Sequence, residues 1–354
     1  MVSSKVTLSK TIEKGIFEAS APCRVDMGGT LDIKTFYYPL RHLSPCTFNI
    51  AIGLRTVVSI HPFSEGMVKV SSKGFESAEF SIDKVPFDHP LGLIFSIASY
   101  FRAEGVHIDI KSSSPPRSAL GGSSSAAVAL VGLFLKIFEN MNGEPFSRQK
   151  AAILAHGLEE SVAGVPCGFQ DQLAAAFGGV NAWYWTGKAG GPLFKRKAVI
   201  EKSSFKEFEN HFLLAYCGIP HESKNINSRW VNQFISGKYR SEWKEIVTCT
   251  KKFVEALSLK DYKKASEFMN RELSFRTKMT PDVLDDMGIK LADIAAENNC
   301  GARFTGAGGG GCIWALGNAV DIGRLKEEWE EALKEREGAC LLDSKIDSKG
   351  IIFT

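Results

Sequence analysis

A serine- and glycine-rich segment that runs straight into an apolar helix constrains the fold of this chain more than any other feature. Residues 115–127 read Pro-Pro-Arg-Ser-Ala-Leu-Gly-Gly-Ser-Ser-Ser-Ala-Ala, and the following stretch to Phe138 is apolar nearly all round. A helix of that composition is buried on most sides. Its N-terminus offers unpaired N–H groups and a positive dipole end, and small residues let a polyanion approach the backbone. We therefore expect a core helix that begins at a phosphate-binding loop.

The same segment has a plainer interpretation, a loop that only caps a helix, because serine is a favoured N-cap residue. It is not a Walker A loop, since the pattern G-x-x-x-x-G-K-[ST] does not occur in the sequence. Serine hydroxyls also suit a hard cation such as Mg²⁺, which prefers oxygen ligands. Phosphate binding and simple capping both stay open on this segment alone.

A second glycine-rich segment lies near the C-terminus. Residues 304–312 read Phe-Thr-Gly-Ala-Gly-Gly-Gly-Gly-Cys and match G-x-G-x-x-G literally. A dinucleotide-binding loop opens a helix, whereas here the strand-like run 312–316 follows, so that interpretation fails. Each glycine costs about 0.5–1 kcal/mol in a regular element. The segment is either a tight hairpin or, as we favour, a backbone that packs against a phosphate chain or the first loop.

A third segment, residues 159–172, places Asp171 between two glutamines and among apolar neighbours. A carboxylate in such surroundings is costly to bury unless it is paired or used. The alternative is an aspartate that caps a short helix over residues 172–177. The segment therefore offers Asp171 as a candidate catalytic group.

The composition of the chain and the positions of its linkers limit the classes of protein that it can belong to. The 354 residues carry a net charge of +3, with 44% hydrophobic residues and 24 Phe, which excludes a mainly disordered chain and gives no nucleic-acid footprint. The eight cysteines form no CxxC pair, residues 1–10 lack a signal-peptide core, and the apolar run 126–135 is too short to span a bilayer. We expect a cytoplasmic protein with reduced thiols and no membrane partner. A sheet-rich first third, helical periodicity over 228–298 and the linker 188–192 predict two α+β domains.

Together the three segments, with residues 21–32 (Ala-Pro-Cys-Arg-Val-Asp-Met-Gly-Gly-Thr-Leu-Asp), strongly resemble the motifs of the GHMP kinases, the galactokinase, homoserine kinase, mevalonate kinase and phosphomevalonate kinase superfamily. The resemblance covers about residues 20–320, and residues 159–179 resemble its sugar kinase branch, between galactokinases and heptose or fucose kinases. It implies an α+β, two-domain GHMP kinase fold with the active site in the cleft between domains. Residues 1–190 would form the ATP-binding N-terminal domain, similar to a ribosomal protein domain, and residues 191–354 the C-terminal domain.

The resemblance also implies roles for matching residues. Asp171 would be the base or orienter of the acceptor hydroxyl, with Arg24 beside it. Mg²⁺ would bind Glu159 and a hydroxyl of Ser124 or Ser125, with Ser123 an alternative because three serines in a row leave the register open. The expected substrate-binding residues are Gly29, Asp32, Gly168, Gln172, Ser223 and Asn225. The expected ATP-binding residues are Ser118, Leu120, Gly121, Gly122, Ser123, Ser124, Ser125, Ala126, Gly308 and Gly309.

The expected activity is transfer of the ATP γ-phosphoryl group to a monosaccharide hydroxyl, of the galactose, fucose or heptose class and plausibly the anomeric one. Two alternatives remain: an enzyme similar to mevalonate or homoserine kinases, and a non-catalytic regulator that binds sugar and ATP. The sequence also departs from its relatives. Galactokinases carry Gly-Glu-His before the first-motif aspartate, which makes galactose specificity doubtful here, and loop positions that are glycine in relatives are Arg117 and Ala119.

Overall fold

A computed structural model gives the structure of residues 17–354, except residues 144, 189, 221–222 and 344. The side chains of residues 140–142 and 223–225 also lie outside the described part. The strands are β1 Phe17–Met27, β2 Cys46–Pro62, β3 Met67–Ser72, β4 Ala78–Ser81, β5 Val106–Ser112, β6 Val180–Trp185, β7 Phe194–Ile200, β8 Phe212–Tyr216, β9 Gly301–Phe304, β10 Cys312–Leu316, β11 Cys340–Leu341 and β12 Ile352–Phe353.

The α-helices are α1 Lys34–Tyr37, α2 Gly92–Tyr100, α3 Gly122–Asn142, α4 Arg148–Ala163, α5 Gln170–Phe177, α6 Phe205–Phe208, α7 Ser223–Ile235, α8 Arg240–Ser258, α9 Tyr262–Met279, α10 Asp286–Glu297 and α11 Ala319–Leu333. Short 3-10 helices lie at Arg41–Leu43, Ile82–Lys84, Lys202–Ser204, Glu209–His211 and Pro281–Val283. The predicted α+β class is confirmed.

The first sheet has eight strands and carries the elements that lead to the site. Its order is β12-β1-β2-β5-β3-β4, and β6 pairs with both β2 and β7. Strands β1 and β2 pair antiparallel over nearly the whole of β1, so that Arg24 lies opposite Ala51 and Met27 opposite Phe48. Because β1 and β5 both pair with β2, the loops that follow Met27 and Ser112 begin at positions that the sheet holds.

The second sheet has four strands in the order β11-β8-β10-β9 and packs with helices α7 to α11. Strands β9 and β10 form a hairpin in which Phe304 lies opposite Ile313. The glycine-rich segment is the connection of this hairpin. The interpretation of this segment as a hairpin is thus correct for the chain path, because the segment joins two paired strands.

Helix α3 is the central helix of the first sheet's core. Its residues 126–134 are buried, as the all-round apolar pattern predicts. Among the described residues, the segment Gly122–Glu139 is long and apolar enough to cross a membrane by length and composition, and 67% of it is buried inside the protein. The apolar helix is therefore longer than the run 126–135, and its burial is that of a core helix.

A third hydrophobic cluster joins the two sheets. Val25 and Phe48 of the first sheet contact the same cluster as Phe253 of α8 and Trp314 of β10, and the Phe48 and Trp314 rings stack with centroids 6.4 Å apart. The loops at the ends of β1, β5 and β9 are consequently held against one another.

The domain division at residues 190 and 191 stays a prediction. Two facts bear on it: β7, at Phe194–Ile200, pairs with β6 of the first sheet, and β12, at Ile352–Phe353, pairs with β1. Sheet membership therefore runs past the predicted boundary in both cases. All eight cysteines carry free thiols.

Candidate active site

The phosphate loop, defined here as residues 113–121, lies on strand β1. The Arg24 N–H donates to the Leu120 carbonyl at 3.0 Å, which fixes the end of the loop just before α3. Arg117 and Ala119 adopt left-handed backbone conformations with φ of 52° and 62°. A left-handed backbone costs a non-glycine residue about 1–2 kcal/mol, so this chain accepts a small strain at both positions.

The N-terminus of α3 is open. Its N-cap is Gly121, with φ of 75° and no side-chain hydrogen bond to the helix. The first amide N–H groups of an α-helix have no partner within the helix, and here no serine caps them. The simple capping interpretation is therefore wrong, and the predicted donors at Gly122, Ser123 and Ser124 face the cavity.

The glycine-rich hairpin packs against the phosphate loop. A Cβ at Gly311 would lie 2.7 Å from the Ser118 carbonyl oxygen, and one at Gly306 would lie 3.2 Å from that of Ala119. Both glycines have positive φ, at 81° and 62°. Of the two partners that the sequence left open for this backbone, the first loop is the one observed.

Gly308 and Gly309, predicted to bind the nucleotide, are not among the residues that line the cavity. The Gly309 N–H donates to the Val283 carbonyl at 2.8 Å, and the Gly308 N–H to that of Thr305 at 3.3 Å. Their backbone donors are thus occupied inside the protein. Gly306 and Ala307 are the hairpin residues on the cavity wall.

Arg24 and Asp171 form a two-point ion pair. Arg24 donates from Nε to Asp171 Oδ1 and from Nη2 to Oδ2, both at 2.8 Å, and from Nη1 to the Ala119 carbonyl at 2.6 Å. Burial alone would lower the pKa of Arg24, but the carboxylates of Asp171 and Asp26 raise it. The predicted neighbours are therefore together, and Asp171, in the first turn of α5, makes no helix cap.

Glu159 meets the serines at the start of α3. Ser124 Oγ donates to Glu159 Oε2 at 2.8 Å, and Ser123 Oγ is 3.4 Å from Oε1. Gln172 Nε2 donates to the same Oε2 at 2.6 Å. Burial is the main cause that raises the pKa of Glu159, and the Asp171 charge adds to it.

Ser125 does not join this group. Its Oγ donates to backbone carbonyls, with Pro22 at 2.8 Å and Gly121 at 2.9 Å, and the residue is buried. The structure therefore brings Ser124, and more loosely Ser123, to Glu159. Gln172, predicted to touch substrate, lies against this carboxylate, although it also lines the cavity.

Asp32 lies beneath Gly168. The Gln170 N–H donates to Asp32 Oδ2 at 2.9 Å, whereas Asp32 Oδ1 is buried without a hydrogen-bond partner. A Cβ at Gly168 would overlap the Asp32 carboxylate, so only glycine fits there. Burial raises the pKa of Asp32 to about 6, with a further contribution from the Asp171 charge.

Gly29 is buried behind the site rather than on the cavity wall. A Cβ there would lie 2.5 Å from Asp26 Oδ2 and 3.1 Å from Gln170 Nε2. Its predicted contact with substrate does not agree with this placement. Ser223 and Asn225 are in the first turn of α7, and their side chains lie outside the described residues.

One cavity of about 1050 Å³ joins these groups. Several residues on the cavity wall were not predicted from the sequence. Among them, Lys73, Phe75 and Leu91 line its outer end, and Asn227 of α7 lines its inner end. No motif marks these residues, because they come from separate elements. The predicted residues on the wall are Arg24, Asp32, Ser118, Leu120, Gly121, Gly122, Ser123, Ser124, Ala126, Glu159, Gly168, Asp171 and Gln172.

Comparisons with known proteins agree with this geometry. Residues 92–179, which include the phosphate loop, Glu159 and Asp171, match the family described as GHMP kinases N terminal domain. The chain thus contains a segment similar to the N-terminal domain of GHMP kinases. The solved structure of Lactococcus lactis galactokinase complexed with galactose has a TM-score of 0.72 and 18% sequence identity, and the match covers 98% of this chain and 99% of that one. The GHMP kinase fold thus extends over nearly the whole chain.

Two curated relatives of this chain differ in the acceptor that their names state. Mevalonate kinase of Pyrococcus horikoshii is 25% identical over 298 residues, 75% of this chain and 80% of that protein. D-glycero-alpha-D-manno-heptose 7-phosphate kinase of Campylobacter jejuni is 26% identical over 202 residues, 56% of this chain and 58% of that protein. Both names are those of small-molecule kinases, which supports a phosphotransferase activity for this chain.

Among the described residues, no group of three or more His, Cys, Asp or Glu side chains could hold a metal by itself. Mg²⁺ in kinases is held by one or two carboxylates together with substrate phosphates and water. The Glu159 carboxylate with the Ser124 hydroxyl is a donor set of that kind. The Asp171 charge raises the pKa of both Asp32 and Glu159, so a cation would offset the negative charge that a triphosphate adds there. The residues present fit Mg²⁺.

Proposed function

We propose that this chain is an ATP-dependent kinase that phosphorylates a hydroxyl of a monosaccharide. The observation that carries the proposal is the position of the Asp171 carboxylate at the open N-terminus of α3. An ideal Cβ at Gly121 would lie 3.2 Å from Asp171 Oδ2. A phosphoryl group bound by the helix N-terminus would therefore be within reach of an alcohol that Asp171 orients.

The donor half of the site suits a nucleotide triphosphate. The amides at the start of α3 and the positive dipole end favour phosphate, and the phosphate loop supplies a close backbone surface. Mg²⁺ on Glu159 and Ser124 would offset charge on the transferring phosphoryl group. The outer end of the cavity, with Phe75 and Leu91, offers apolar surface for the base.

The acceptor half suits a neutral polyol. Asp32 Oδ1, Gln170 Oε1 and Asn227 Oδ1 are buried acceptor atoms that find no hydrogen-bond partner among the described residues, and all three residues line the cavity. An unmade hydrogen bond of a buried polar atom costs about 1–3 kcal/mol. Sugar hydroxyls would donate to these atoms, and a site built to bind hydroxyls strongly rejects analogues that lack them.

The transfer step follows from this geometry. The acceptor oxygen forms a bond to the γ-phosphorus, the bond to the β–γ bridging oxygen breaks, and ADP leaves. The hydroxyl proton passes to an Asp171 oxygen, since each of these oxygens keeps a lone pair beside its hydrogen bond from Arg24. Phosphoryl transfer depends mainly on positioning and electrostatic stabilisation, which the fixed Arg24–Asp171 pair provides.

The test is an ADP-release screen over free hexoses and heptoses, their phosphates, and mevalonate, followed by NMR location of the new phosphate. We expect release with at least one unphosphorylated monosaccharide. Turnover with mevalonate alone would overturn the sugar assignment and favour the second candidate function, a mevalonate kinase, which the 25% identity over 75% of the chain supports. Binding of ATP and sugar without any turnover would instead support a non-catalytic regulator.

A further inference from the structure

A line of buried charges extends from Asp171 into the C-terminal half of the chain. We call it the buried ion chain, and its members alternate in sign: Asp171, Arg24, Asp26, Arg303, Glu272 and Arg276. Arg303 Nη1 lies 3.1 Å from Asp26 Oδ2, Arg303 Nε 2.9 Å from Glu272 Oε2, and Arg276 Nε 2.7 Å from Glu272 Oε1. The side chains of the last four members are fully buried, whereas Asp171 is 23% exposed. The buried ion chain has no net charge, because it contains three acidic and three basic side chains, and it reaches solvent at Asp171.

Asp26 is the branch point of the buried ion chain. Its Oδ1 accepts from the Gly306 N–H at 2.6 Å and lies 3.6 Å from Arg24 Nη1. Its Oδ2 faces Arg303. One carboxylate therefore touches the glycine-rich hairpin, the arginine that holds Asp171, and a second arginine from β9.

Arg303 compensates Asp26 from the side away from the cavity. Burial would lower the pKa of Arg303, but the carboxylates of Glu272 and Asp26 raise it, so it carries its charge throughout. A buried charge that loses its partner seeks another. Without Arg303, the nearest cation for Asp26 is Arg24, and attraction to Asp26 would then compete with the bond from Arg24 to Asp171.

We propose that Arg303 is a positioning residue for the transfer step: by neutralising Asp26, it leaves the Arg24 guanidinium aligned on Asp171. This inference rests on the proposed kinase function for its kinetic consequence, although its structural consequence does not. Among the described residues, Arg303 donates hydrogen bonds to Asp26, Glu272 and the Phe304 carbonyl, so its link to Arg24 passes through Asp26.

The far end of the buried ion chain, at Arg276, reaches the loop after β1 that carries Asp32. Arg276 donates from Nη2 to the Gly29 carbonyl at 2.7 Å and from Nη1 to Thr30 Oγ1 at 3.0 Å. Its guanidinium lies between the rings of Trp230 and Trp243, at 4.6 and 4.7 Å from their centroids. Glu272 pairs with both Arg276 and Arg303. The buried ion chain therefore connects the loop that carries Asp32 to the Arg24–Asp171 ion pair.

The first test is structural and needs no turnover. In a crystal structure of the Arg303→Gln variant, we expect the Arg24 guanidinium to turn toward Asp26 and at least one of its two bonds to Asp171 to break. In the charge-balanced double variant Asp26→Asn/Arg303→Gln, we expect both bonds to return. An unchanged Arg24–Asp171 pair in the single variant overturns the proposal, whatever the enzyme's substrate proves to be.

The second test is kinetic. A misplacement of about 1 Å in a catalytic group can cost about 100-fold in rate, so we expect Arg303→Gln to lower kcat by about 10- to 100-fold with little change in KM for ATP. The double variant should recover most of that loss. A double variant no faster than the single one overturns the proposal, because a merely structural arginine would not be rescued by removal of the Asp26 charge.

Two further variants keep the test decisive. Should Arg303→Gln fail to fold, Arg303→Met replaces it in both comparisons, since methionine keeps an unbranched side chain and removes the charge. The matched control is Arg271→Gln. It removes an exposed ion pair between Arg271 of α9 and Glu245 of α8. We expect its kcat to equal that of the unmodified enzyme, and a loss as large as that of Arg303→Gln would overturn the proposal.

Discussion

The Arg24 guanidinium meets the Asp171 carboxylate with two parallel hydrogen bonds of 2.8 Å, from strand β1 to helix α5 across 147 residues of sequence. A planar two-point pair of this kind fixes both the distance and the orientation of the carboxylate. Since Arg24 is almost wholly buried and Asp171 is partly exposed, the pair presents one aligned carboxylate to the cavity. The following predictions concern that carboxylate and the groups around it.

Asp171→Asn should leave ATP binding nearly unchanged and lower kcat by about 100- to 10,000-fold, because the amide can neither take the proton nor pair with Arg24. Calorimetric ATP binding and steady-state ADP release measure the two quantities. The matched control is Asp282→Asn, whose exposed carboxylate pairs with Arg229 away from the cavity. Turnover of Asp171→Asn equal to that of the control would remove Asp171 from the mechanism.

Glu159→Gln should raise the Mg²⁺ concentration needed for half-maximal activity by about 10- to 100-fold, because it weakens a metal ligand. Ser124→Ala should act in the same direction. Ser125→Ala is the neighbouring control: it loses hydrogen bonds to backbone carbonyls and should cost about 1 kcal/mol of stability. A Mg²⁺ titration that shifts for Ser125→Ala but not for Glu159→Gln would contradict the assignment.

Asp32→Asn should stabilise the protein by about 3 kcal/mol at about pH 8 and by about half of that at about pH 5. The pKa of Asp32 is raised from 3.8 to about 6 by burial, so the folded state binds more protons than the unfolded state between these values. Stability is therefore lost as the pH rises from about 4 to about 6 and stays lower above that range. The asparagine removes the buried charge and its cost.

Denaturant unfolding of both proteins at the two pH values measures this difference. The same variant should turn over sugar more slowly, since the hydroxyl contact of Asp32 is weakened. A stability gain of equal size at both pH values would show that the Asp32 charge is not the cause.

Gly311→Ala should destabilise the protein by about 2–4 kcal/mol, the sum of a strained positive φ and a forced shift of its neighbours. The new Cβ would lie 2.7 Å from the Ser118 carbonyl oxygen, so the phosphate loop must move and KM for ATP should rise.

Gly66→Ala separates the two causes of this loss. Gly66 also has a positive φ, at 71°, but a Cβ there meets nothing within 4 Å. We expect about 1–2 kcal/mol from backbone strain alone and an unchanged KM for ATP. Equal losses in the two variants would mean that the hairpin does not press on the phosphate loop.

Local patterns in the sequence predicted the elements well. The strand-like run 312–316 is β10, and the helical periodicity over residues 228–298 corresponds to helices α7 to α10. These features depend on residues close in sequence, such as period, caps and turns. The motifs likewise located the phosphate loop, Glu159 and Asp171.

The contacts between distant segments could not be predicted in this way. Asp26 and Arg303 are 277 residues apart, and nothing near either residue marks the pair. The choice among three consecutive serines needed the phase of α3, and the placement of Gly308 and Gly309 needed the seating of the hairpin on Val283. In each case tertiary packing decides which of several chemically suitable groups faces the cavity.

The seating of Gly306 and Gly311 on the phosphate loop fastens the two halves of the molecule where donor and acceptor would meet. A cleft sealed along that line cannot swing apart there without breaking the Gly306 contact to Asp26. The cavity extends to the turn that carries Phe75 and to the start of α2, where Leu91 lines it. Under the proposed function, we expect nucleotide to exchange at this rim rather than past the hairpin.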